Sequence, residues 1–82
     1  MKVRISRKAR SDLLGAFDYL ADRNAAAAER LIADFDAKLR QLAEFPLIGR
    51  SRPEYAADLR SVLVRNHVVL YCVIEDEVIS CA

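Results

Sequence analysis

Four arginines in the second half of the chain, Arg50, Arg52, Arg60 and Arg65, could hold a phosphate, because a guanidinium offers paired N–H donors to two oxygens at once. His67, the single histidine, follows them closely. An imidazole with an ordinary pKa of about 6.5 suits proton transfer at neutral pH. A ribonuclease acting through the ribose hydroxyl needs such a base, an acid for the leaving oxygen and cations on the phosphate. His67, however, stands beside Asn66 at a turn, where it also reads as the first residue of a strand. We expect no catalytic residue here. The arginines fall on a loop and on strand edges, so contact with protein or solvent is the preferred alternative to contact with phosphate. Cys72 and Cys81 are the only thiols. Two cysteines and one histidine do not supply the four ligands of a structural zinc site, and no cofactor motif is present, so none is expected.

The elements that must position these residues can be read from periodicity. Val3 and Ile5 alternate with Lys2, Arg4 and Ser6, the pattern of a short half-buried strand. Ser6 can cap the helix that follows, whose apolar stripe is Ala9, Leu13, Ala16, Phe17 and Leu20. Gly15 either weakens that helix, by roughly 1 kcal/mol relative to alanine, or allows a close helix contact. Asn24 caps a second helix with the stripe Ala28, Leu31, Ile32, Phe35, Leu39 and Leu42, which Pro46 ends. The short connection makes the two helices an antiparallel hairpin. Pro46 to Asp58 reads as a loop. Strands follow over about Leu59–Arg65, His67–Ile74 and Val78–Ala82, with connections too short for a crossover, hence antiparallel. A two-residue turn at Asp76-Glu77 would pair Glu75 with Val78, Ile74 with Ile79, Val73 with Ser80 and Cys72 with Cys81. The fold class is therefore α+β: a short N-terminal strand, an antiparallel helix hairpin and a three-stranded antiparallel meander, with the helices on one face of the sheet.

The middle strand of that meander carries Val68, Leu70, Cys72 and Ile74 on one face and His67, Val69, Tyr71 and Val73 on the other. Both faces are largely apolar, whereas an antiparallel sheet with one covered face normally turns polar residues to water. One apolar face therefore lacks a cover, and such patches mark partner sites. Size points the same way: 82 residues make one domain that buries only about 60–65% of its unfolded surface. The net charge of +1 argues against gripping DNA by bulk charge, although Lys2, Arg4, Arg7, Lys8 and Arg10 crowd the first ten residues without an acid. No apolar run approaches the ~20 residues of a membrane span. Thiols without a secretion signal point to the cytoplasm, where two free thiols are expected rather than a disulfide.

In this order, several short marks resemble the ParE branch of the ParE/RelE toxin superfamily. They are Ile5-Ser6 with Arg7-Lys8-Ala9, Asp12-Leu13 and Tyr19; Leu39 and Leu42; Pro46-Leu47-Ile48-Gly49 and Arg52-Pro53-Glu54; Leu59-Arg60; and His67-Val68-Val69-Leu70-Tyr71. The resemblance implies one toxin domain over 1–82, silenced by a ParD-like antitoxin that would cover Val68, Leu70, Cys72 and Ile74. It implies DNA gyrase as the target, with Arg50, Arg52, Arg60 and Arg65 as candidate contacts. The alternatives are a RelE-like endoribonuclease cutting messenger RNA on the ribosome, and a member that binds antitoxin without toxicity. Two departures bear on them. Val68 stands where RelE-like nucleases often place a phosphate-binding arginine, and the sequence stops before the superfamily's usual arginine-containing C-terminal segment.

Overall fold

The computed structural model describes residues 1–81. Its elements are β1 (Lys2–Ile5), α1 (Arg7–Arg23), α2 (Ala25–Glu44), β2 (Arg50–Ser51), β3 (Leu59–Val64), β4 (His67–Ile74) and β5 (Glu77–Ser80). The predicted end of the last strand at Ala82 lies outside the described residues. Both helix starts are capped by the side chains the sequence offers. The Ser6 hydroxyl accepts the Ala9 N–H at 3.1 Å, and Asn24 Oδ1 accepts the Ala27 N–H at 3.1 Å. Asn24 is the whole connection between the helices: its extended backbone ends α1, through its N–H to the Leu20 carbonyl, and opens α2. A one-residue link forces the helices back along each other.

The five strands form one sheet in the order β1-β5-β4-β3-β2. The β3-β4-β5 meander is antiparallel as expected, and the α+β class holds. The sheet as a whole is mixed, because β1 joins the β5 edge in parallel, Lys2 beside Glu77 through Ile5 beside Ser80. Parallel neighbours need a long crossover, which the two helices and the meander supply. The loop after α2 also contributes a two-residue edge strand, β2, pairing Arg50 with Ser61 and Ser51 with Arg60.

One register expectation is corrected. Ile74 pairs with Glu77, so the turn is Glu75-Asp76, one residue earlier than the sequence reading. Both turn residues have positive φ, 48° and 64°, the conformation of the hairpin turn whose twist matches its strands. Cys72 therefore faces Ile79 across the ladder rather than Cys81, while the Cys81 N–H donates to the Leu70 carbonyl. The slip is two residues along β5, so every side chain keeps its predicted face.

Two linked clusters make the core. Leu31 and Phe35 of α2 meet Val64 and Val69 of the sheet, with Leu13, Ala16 and Leu20 of α1 packed alongside. Further along α2, Leu42 meets Tyr71 and Val78, and Leu39 and Val62 touch both clusters. Ile32 remains 37% exposed and is not part of the core. Gly15 is exposed, and a methyl group there would meet no atom within 4 Å, so it serves no close helix contact.

Candidate functional site

Alternation along β4 assigns its two faces. Val69 and Tyr71 are buried under the helices, together with Val78 and Ser80 from β5. Val68, Leu70, Cys72 and Ile74 lie on the opposite face, away from the helix-packed core, and Val68 and Ile74 are 53% and 46% exposed. The register places Leu63, 64% exposed, directly across from Val68, and half-buried Leu59 across from buried Cys72. Ile79 extends this apolar band onto β5. At the β1 edge the band is bordered by an Arg4–Glu77 ion pair at 3.6 Å, and at the β2 edge by Arg50 and Arg52. The sequence reading missed Leu63. The signal was available: a two-residue turn at Arg65-Asn66 pairs Leu63 with Val68.

Three of the four arginines have partners within the fold. Arg60 Nη1 donates to the Leu47 and Gly49 carbonyls at 3.2 and 2.9 Å. Arg52 Nε donates to the Ser61 hydroxyl at 2.8 Å, and its Nη1 lies 3.7 Å from Glu54. Arg65 pairs with Asp34 of α2 at 2.6 Å. Arg50 is exposed on β2, without an ion-pair partner among the described residues. The four guanidiniums thus do not converge on one point. His67 is exposed at the start of β4 and lines a cleft of about 180 Å³ with Asp12, Leu13, Phe35 and Val69, which none of these arginines enters.

The loop motif Pro46-Leu47-Ile48-Gly49 is held by Tyr71, which is fully buried. The Tyr71 hydroxyl accepts the Gly49 N–H at 2.9 Å and donates to the Pro46 carbonyl at 2.8 Å. A side chain on Gly49 would lie 2.4 Å from that hydroxyl, so only glycine lets the loop close over the tyrosine. Arg60 fixes the same loop from β3, leaving Leu47 and Ile48 exposed at 64% and 47%. Position 49 reads in sequence only as a loop glycine, because its reason lies 22 residues further on.

The cysteines are both free. Burial pushes the Cys72 thiol up to about 11; the hydrogen bond and charge of Cys81, and then the charge of Asp58, act in the same direction. No group of three or more His, Cys, Asp or Glu among the described residues is placed to hold a metal ion, and no helix among them is long and apolar enough to cross a membrane.

The fold is thus a small α+β domain with helices on one sheet face and a partly exposed apolar band on the other, the kind of patch that marks an interaction site. A family model described as the ParE toxin of the type II toxin-antitoxin system, parDE, matches residues 3–81. The chain therefore belongs to the ParE toxin family, the toxin half of a toxin–antitoxin pair. A comparison with curated proteins found no match.

Proposed function

We propose that this protein is a binding toxin that inhibits DNA gyrase by docking on it and is neutralised by a ParD-like antitoxin covering the open sheet face. The observation that carries the antitoxin part is the apolar band on the sheet face opposite the helices, where Leu63, Val68 and Ile74 are exposed beside half-buried Leu70 and buried Cys72. What supports gyrase as the target is membership of the ParE family. A non-catalytic mode of action is supported by the engagement of Arg52, Arg60 and Arg65 with their own fold, and by valine at position 68.

The test is gyrase supercoiling of relaxed plasmid, with and without the antitoxin from the neighbouring reading frame. The expected result is inhibition by the toxin and relief by the antitoxin. Val68→Asp with Ile74→Asp should abolish relief while leaving inhibition in place, because the charges would be desolvated only in the antitoxin complex. Codon-positioned cleavage of messenger RNA in a translation extract, with unaffected gyrase, would replace this reading with the endoribonuclease. Tight antitoxin binding without either activity would leave only the antitoxin-binding reading.

A further inference from the structure

Cys72, in the middle of β4, and Cys81, just past the end of β5, bring their thiols together, and the proposed function gives that pairing no role. Cys72 Sγ and Cys81 Sγ are 3.7 Å apart on the open face of the sheet. The register makes them diagonal neighbours: Cys72 faces Ile79, and Cys81 is two residues beyond it. Diagonal positions in an antiparallel pair have Cα atoms roughly 7–8 Å apart, just beyond the usual range of a disulfide. The sulfurs nevertheless lie 3.7 Å apart, close to van der Waals contact. Cys81 is one residue past the end of β5, so closing the pair shifts a residue whose backbone is held to β4 by its N–H bond to the Leu70 carbonyl.

We infer that Cys72 and Cys81 form an oxidation site, at which a peroxide converts the thiol pair into an intramolecular disulfide that locks β5 to β4. The half-buried Cys81, the more accessible of the two, attacks the peroxide as a thiolate. It takes one oxygen to become a sulfenic acid, and hydroxide leaves and is protonated to water. The Cys72 sulfur then attacks the Cys81 sulfur, the S–O bond breaks, and the hydroxyl leaves as water with the Cys72 proton. Two thiols and one peroxide thus give one disulfide and two waters, with two electrons passing from sulfur to oxygen. Burial, the largest cause, keeps the Cys72 thiol protonated at neutral pH, so its attack on the sulfenic acid quickens as pH rises.

The lock would act where the fold depends most on one strand. β1 is attached to the sheet through β5 alone, and β5 reaches the rest of the sheet through β4. A covalent link from Cys72 to Cys81 therefore secures β5 and, behind it, β1.

The experiment treats the full chain with hydrogen peroxide and follows it by intact mass, by alkylation in denaturant and by non-reducing gel. The expected product is monomeric, lighter by two hydrogens, without alkylatable thiols, and restored by dithiothreitol. Its melting temperature should rise by roughly 5–15 °C, with slower amide exchange in β5 and β1. Cys81→Ser, at the less buried position, should prevent the mass loss and leave Cys72 alkylatable. Three results would overturn the inference: Cys81 gaining two or three oxygens while Cys72 stays free, a disulfide-linked dimer as the main product, or an oxidised monomer whose melting and exchange are unchanged.

Discussion

Replacing Tyr71 by phenylalanine removes one oxygen and two hydrogen bonds while keeping the buried ring. In the native fold the hydroxyl accepts from Gly49 at 2.9 Å and donates to Pro46 at 2.8 Å. Gly49 is itself buried, so its N–H would lose its partner out of reach of water. An orphaned buried donor costs about 1–3 kcal/mol. The Pro46 carbonyl is only partly buried and can be rehydrated, which adds about 0.5–1 kcal/mol for its lost bond. The expected loss is thus roughly 1.5–4 kcal/mol, against a total stability on the order of 4–12 kcal/mol for a chain of this length. Y71F should therefore melt roughly 6–30 °C lower. Urea denaturation measures the loss directly, and amide exchange localises it. The Gly49 N–H should exchange far faster in the variant, while the β3–β4 ladder stays protected. A loss below ~0.5 kcal/mol with unchanged Gly49 exchange would mean that the loop is held by Arg60 and packing alone, and that the tyrosine hydroxyl contributes nothing.

Three further perturbations have definite signs. Gly15→Ala should stabilise the protein by about 0.5–1 kcal/mol in urea denaturation, since the position is mid-helix and exposed, with open space where the methyl would go. Glu75→Asn combined with Asp76→Gly should add roughly 0.5–1.5 kcal/mol to the thermal stability, because both residues hold positive φ in a turn that favours Asn-Gly. The Cys72 thiol ionises at about 11 in the fold against 9.0 for a free thiol, so the native state holds its proton more tightly. That contribution is whole below pH 9 and is lost as pH rises toward 11. Reduced wild type should lose more stability across that interval than Cys72→Ala, as read by urea midpoints at each pH.

What the sequence disclosed follows from the range of the interactions involved. Ser6 and Asn24 act on backbone N–H groups within three residues, so the helix starts were legible from residue type alone. The two faces of β4 followed from strict alternation. The pairing of β1 with β5 was not legible, because it joins residues some 75 positions apart and nothing in a four-residue strand names its neighbour. β2 has two residues, too few to show any alternation. The β4–β5 turn was misplaced by one residue because Glu75-Asp76-Glu77 contains no glycine or asparagine to mark the positive-φ positions.

The residues that make the chain recognisable are, in several cases, the ones that hold a loop rather than act on a target. Pro46, Gly49, Arg60 and Tyr71 all belong to the motifs on which the resemblance to ParE rests, and in the structure they form one hydrogen-bonded knot. Each depends on the others: the glycine is required by the tyrosine ring, the tyrosine hydroxyl is satisfied by the loop backbone, and the arginine supplies donors to the loop carbonyls. Such a constellation tolerates little change whatever the protein's target, because altering one member orphans the buried groups of another. The candidate partner face is built on the opposite principle. Val68, Leu63 and Ile74 are exposed and make little of the core, so this fold permits many apolar residues at those positions. The knot therefore carries stability, and on the function proposed above the band carries antitoxin binding. Substitutions in the two should separate cleanly into losses of stability and losses of antitoxin binding.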